Sequence, residues 1–174
     1  MSCNCSDSNL TILKGDTGDT GAAGTFTGLS DVISANSAGL TLTVAQSGST
    51  VVFARAGGVA VTLPSANDAD TIGVFYDFVV YTSVTNPNVY SITASNGVGY
   101  NDLFFGAVVS QVDATSPLIF SPNGTTNDVI TMSGTTSGGR QGTTLTIECV
   151  AINTWMVTGT NICSPAPAVT IFGN

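Results

Sequence analysis

Almost nothing in this chain favours a helix. Lys and Glu occur once each, as Lys14 and Glu148, and Leu only 9 times, whereas Thr occurs 26 times and Val 19 times. Lys, Glu and Leu lose little rotamer freedom in a helix. Val, Ile and Thr lose χ1 freedom there and pack well on a pleated sheet. Hydrophobic residues make up 43% of the 174 positions, enough to bury a core. Low charge is therefore not a mark of disorder, which combines low hydrophobicity with high charge. The expectation is one all-β domain, with at most a tail.

The pattern along the chain agrees. Leu40, Leu42 and Val44 alternate with Thr41 and Thr43. Strands are expected at residues 50–55 and at Val59, Val61 and Leu63, stopped by Pro64. Residues 74–84 form an apolar run, fit for a central strand covered on both faces. Further strands are expected at 89–93 and 103–112. Residues 117–120 and 128–132 are expected to pair, and 143–150 form a closing hairpin with 155–158. Asn86-Pro87-Asn88, Asn96-Gly97 and Ser137-Gly138-Gly139 mark turns. Ser30 to Ile33 fit one helical turn capped by Ser30. About eight or nine closely spaced strands describe an antiparallel sandwich, with a jelly roll the expected topology. An immunoglobulin-type sandwich is the alternative, but Cys149 and Cys163 stand too close in sequence for its inter-sheet bridge. The expected core anchors are Phe53, Phe78, Val80, Ile92, Phe105, Ile147 and Trp155.

Charge narrows function. Only 8% of residues are charged, against about 25% in an average globular protein. There are 3 cations, 11 acidic residues and no His, for a net charge of −8. Three cations cannot neutralise many phosphates, so no nucleic-acid partner is expected. Without His there is no Ser-His-Asp triad, no His-ligated metal and no His general base, so no catalytic residue is assigned. No apolar run approaches the roughly 18 residues of a membrane span. The start, Met1 to Cys5, lacks the basic and apolar regions of a signal peptide, and synthesis in a cytoplasm is expected. Cys149 and Cys163 are then expected as buried free thiols, while the state of Cys3 and Cys5 stays open.

Residues 1–39 read as an extended arm and 40–174 as the β domain. Within the arm, Gly15, Gly18, Gly21 and Gly24 recur at a spacing of three, the Gly-X-Y pattern of a collagen triple helix. A Gly-rich linker is the plain alternative. The position of the triplets, just before a β domain that would hold three copies in register, favours the collagen-like reading. It implies a homotrimer with arm contacts at Lys14, Gly15, Gly18, Gly21 and Gly24. Arg55 and Arg140, the only arginines, are the expected interface cations. Asp68 and Asp70 share a turn, but six to eight oxygens would be needed for calcium, so no metal or other cofactor is assigned. Tyr76, Tyr81, Tyr90 and Tyr100 with Trp155 read either as core aromatics or as a sugar platform, leaving a cell-surface glycan open as a partner.

The Gly15–Gly24 triplets lead into a Thr- and Ser-rich β domain. The domain contains Gly58-Val59-Ala60-Val61-Thr62-Leu63-Pro64 and ends on a hairpin from Gly142 through Trp155-Met156-Val157-Thr158-Gly159. In these features the chain resembles structural proteins of tailed-phage particles. The resemblance implies a trimeric β domain with binding surfaces and no catalytic residues. A capsid decoration, or cement, protein fits it best. Such a protein would be made in the host cytoplasm and located in the virion. It would bind the major capsid protein, with its arms reaching over neighbouring subunits. A receptor-binding fibre or spike tip and a bacterial spore-surface or adhesin protein are the alternatives.

Overall fold

Alternation of buried and exposed side chains runs through nearly every strand, and it makes two sheets with one core between them. The computed structural model describes residues 31–94, 102–112, 116–164 and 167–174. Among these, one sheet has seven strands in the order β1-β3-β5-β10-β11-β7-β8. They are β1 (Val32–Ala35), β3 (Thr50–Phe53), β5 (Phe75–Val80), β7 (Leu103–Val112), β8 (Leu118–Phe120), β10 (Thr144–Ala151) and β11 (Thr154–Cys163). The other has five, β12-β9-β6-β4-β2, from β2 (Gly39–Thr41), β4 (Val59–Thr62), β6 (Tyr90–Thr93), β9 (Val129–Met132) and β12 (Phe172–Gly173). The all-β sandwich expected from composition is the fold.

Its pairing is mixed, not antiparallel. Among the described residues five of the ten strand pairings are parallel: β1–β3, β3–β5, β2–β4, β4–β6 and β7–β11. The cause is the winding. From β1 to β7 each strand crosses to the opposite sheet, so the chain travels as a flattened coil. Parallel neighbours always need a crossover connection, and here the facing sheet supplies it instead of a helix. The β10–β11 hairpin then inserts between β5 and β7, while β9 and β12 extend the second sheet. This departs from the antiparallel pairing of a jelly roll.

Local differences have similar causes. Val32 and Ile33 lie in β1, paired with Thr50 and Val51, not in a helical turn. Strand pairing thus begins at Val32, within the segment read as arm. The Leu40–Val44 alternation stops at Thr41. Val44–Gln46 form a 3-10 turn, where the Thr43 N–H donates to Gln46 Oε1 at 2.9 Å. β5 is central, but only one of its faces is covered. Tyr76, Phe78 and Val80 are buried, while Phe75 is 40% exposed. Residues 117–120 and 128–132 do not pair with each other. β8 adds to β7 and β9 joins the other sheet. The closing hairpin forms as expected, turning at Ile152 and Asn153, whose φ of 58° supplies the tight reversal. Asn96-Gly97 lies outside the described residues.

The core is aromatic at its centre. Phe53 stacks on Tyr90 with centroids 4.5 Å apart, and Tyr76 lies 6.3 Å from Trp155. All expected anchors are buried except Phe105, which is 61% exposed. Its neighbour Phe104 takes the inward place.

Candidate interaction surface

The strands that bury Tyr76, Leu145, Ile147, Trp155 and Val157 on one side must present their other residues outward. Register then fixes a lattice on the outer face of the seven-stranded sheet. One row runs Ile119, Val109, Thr160, Thr144, Val79, Val52, Ser34. The next runs Ala107, Thr158, Thr146, Asp77, Thr50, Val32. A third runs Phe105, Met156, Glu148, Phe75. No described segment covers this face. Phe105 and Ile119 are 61% and 71% exposed, and Thr144, Thr146, Thr158 and Thr160 are all exposed.

Its chemistry is uniform. Thr144 faces Thr160 and Thr146 faces Thr158 across neighbouring strands. Such cross-strand pairs help hold strands together. Asp77 and Glu148 are the only charged residues in the three rows. Asp77 is already engaged, because Thr146 Oγ1 donates to its Oδ1 at 2.6 Å. Seven strands at a spacing of about 4.8 Å make the longest row about 30 Å, and three rows about 7 Å apart span about 14 Å. That is about half of one partner's share of a standard interface, roughly 800 Å².

Arg55, Arg140, Asp68, Asp70 and Tyr81, singled out in the sequence, stand outside these three rows. Arg55 follows β3, and its Nη1 donates to Gly58 O at 2.8 Å, folding the side chain over its own turn. Arg140 precedes β10 and accepts at its carbonyl from Thr143 N. Lys14, Gly15, Gly18, Gly21 and Gly24 lie outside the described residues, as do Cys3, Cys5 and Tyr100. The sugar platform does not form, because Tyr76, Tyr90 and Trp155 are fully buried and Tyr81 stands apart from them at 65% exposure. Burial pushes the Tyr76 hydroxyl up to about 12, and it donates to Thr43 O at 2.7 Å as a structural bond. Asp68 accepts from the Asp70 N–H at 3.2 Å, so the pair shapes its own turn. No group of three or more His, Cys, Asp or Glu that could hold a metal occurs among the described residues. Cys149 and Cys163 are free and buried, and desolvation pushes both thiols up.

Two buried polar residues went unnoticed in the sequence. Asn161, in β11, ties three segments together. Its Oδ1 accepts from Gly139 N at 3.1 Å, and its Nδ2 donates to Ser137 O at 3.2 Å and to Ser110 Oγ at 3.3 Å. A Cβ at Gly138 would overlap this amide, so the loop before β10 needs glycine there. Asp102, just before β7, is also fully buried. Its Oδ2 accepts from Ala66 N at 2.8 Å, while Oδ1 has no hydrogen-bond partner. Neither residue carries a sequence motif. The Thr lattice did carry a signal, the alternation of Thr144 with Thr146 and of Thr158 with Thr160, but its position on one face needed the register. Compared with protein families, curated proteins and solved structures, the chain matches none.

Proposed function

We propose that this chain is a virion structural protein, a capsid decoration protein that forms trimers and stabilises the exterior of a tailed-phage head. The observation that carries the reading is the outer face of the seven-stranded sheet. It is broad, uncovered by any described segment, and built from Thr and apolar side chains with two carboxylates. Interface cores are depleted of charged residues and enriched in aromatic residues and Met. Phe105, Met156 and Phe75 share one row of this face. Covering it strips water from few charges, so little desolvation opposes the contact.

The proposed mechanism is mechanical. Each trimer lays its sheet faces on the major capsid protein, and the segment before β1 serves as the arm that ties adjacent subunits, since Val32–Ala35 are already paired into the sheet. A ligand that binds only the assembled shell stabilises it in proportion to occupancy, so many modest contacts suffice. No chemistry is required of any side chain, and no metal or cofactor enters.

The test is to strip the protein from its source particles and count copies. The decoration reading expects hundreds of copies per particle, with stripped heads fragile to heat and low ionic strength while adsorption to cells persists. A few copies, robust stripped heads and lost adsorption overturn it in favour of a receptor-binding fibre or spike tip.

A further inference from the structure

The charges of the described residues are segregated along the strand direction. β3, β5, β7 and β11 all begin at one end of the sandwich, because β3 and β5 are parallel and β7 and β11 are parallel, while Phe75 at the start of β5 lies level with Glu148 and Met156. Every described acidic residue is at or near that end. Asp31 precedes β1, and its carbonyl accepts from Thr50 N at the start of β3. Asp68 and Asp70 precede β5, Asp102 precedes β7 and Asp128 precedes β9. Asp77 and Glu148 lie in the strand rows nearest the same end.

Both described cations are at the opposite end. Arg55 and Arg140 flank the segment that follows β5. The Tyr90 hydroxyl bridges Arg55 O and Thr82 O at 2.8 and 2.7 Å, and Thr85 N donates to Ala56 O. Beyond that segment, Gln141 N donates to Ser83 Oγ at 2.9 Å and Val84 N to Gly139 O at 3.2 Å. Asp113 lies outside the described residues.

The two ends stand about 20 Å apart, the length of a six-residue strand. That exceeds the screening length of about 8 Å at physiological salt. Neither arginine can therefore neutralise the acidic end of its own copy. The complement is the acidic end of another copy, where Asp31, Asp68 and Asp70 are exposed. Two acidic ends repel each other, so a symmetric contact between them is disfavoured. A contact between unlike ends is heterologous, and a heterologous contact closes into a ring when its rotation allows.

We propose that the trimer closes head to tail, the Arg55–Arg140 end of each copy docking on the Asp31, Asp68 and Asp70 end of the next copy. This rests on the trimeric reading above and names its interface. It also leaves the outer sheet face free for the shell. Each exposed ion pair contributes little alone, but closing the ring makes three such contacts act together.

Sedimentation velocity on the full chain tests it. Wild-type protein is expected to be a trimer at low salt and to dissociate at least tenfold more readily in 0.5 M salt. R55E/R140E is expected to be monomeric, and so is D68R/D70R, each with an unchanged circular dichroism spectrum. R140E alone keeps the Arg55 turn intact and is expected to weaken the trimer at least tenfold. If both double variants remain trimeric, the head-to-tail contact is wrong and the trimeric reading stands. If wild-type protein forms species larger than a trimer, the proposed ring is overturned. If wild-type protein is a monomer at every concentration and salt, the trimeric reading itself falls.

Discussion

Asp102 holds a carboxyl where water does not reach. Desolvation raises its pKa, and the Ala66 N–H and the nearby Ser65 hydroxyl pull it back only in part. A raised value in the fold means the folded chain binds this proton more tightly than the unfolded chain. Stability from the neutral form is fully present below the unfolded pKa, about 3.9, and is lost as pH rises through the folded value. The slope for one proton is at most about 1.4 kcal/mol per pH unit. Asp102→Asn keeps an oxygen for the Ala66 N–H and removes the charge. We expect it to flatten the fall in stability above pH 4 and to be at least as stable as wild type at pH 7. Chemical denaturation of both proteins across pH 4–7 measures this, and a variant with the wild-type slope refutes it. None of this was legible in the sequence, where Asp102 stands just before a strand and carries no motif. Burial of a carboxylate is decided by what the fold places over it.

At the scale of the element, β7 shows where alternation stops being informative. Leu103 to Val112 are apolar on both faces, with Phe104, Val108 and Val112 on one and Leu103, Phe105 and Val109 on the other. The pattern located the strand but could not say which face turns inward, so Phe105 was misplaced. A shift of one residue exchanges the faces. Two contacts fix the choice. Ser110, buried, meets Asn161, and Gly106 packs its backbone against β11. Gly106 has a φ of 107°, and a Cβ there would run into the Val157 carbonyl. Gly106→Ala is therefore expected to cost about 2 kcal/mol or more, from strained backbone and overpacking together. Urea unfolding gives the number, and a loss below 0.5 kcal/mol would show that the two strands can separate at little cost. The β10–β11 hairpin was legible because its cues agree: alternation on both sides and a short turn at Asn153.

For the whole molecule, the outer sheet face and the polarity of the charges carry the proposed function. Thr158 stands in the middle row of that face and is exposed. Thr158→Lys is expected to change folding stability by no more than about 0.5 kcal/mol, as surface substitutions do. Binding to stripped heads is expected to weaken at least tenfold, about 1.4 kcal/mol, because the contact must now desolvate an ammonium group. A binding assay on stripped heads beside a melting curve separates the two effects, and undiminished binding would remove this face from the proposed interface. Sequence by itself determined that the chain is an all-β sandwich with a Thr-rich surface and few cations. Those follow from χ1 freedom, alternation and composition, which are properties of residues and their near neighbours. Only the tertiary structure decided that half the pairings among the described residues are parallel and that Thr50, Thr144, Thr146, Thr158 and Thr160 share one face. It also placed Arg55 and Arg140 at one end and the described acidic residues at or near the other. These depend on which distant strands lie side by side, and strand order is set by contacts between segments far apart in the chain.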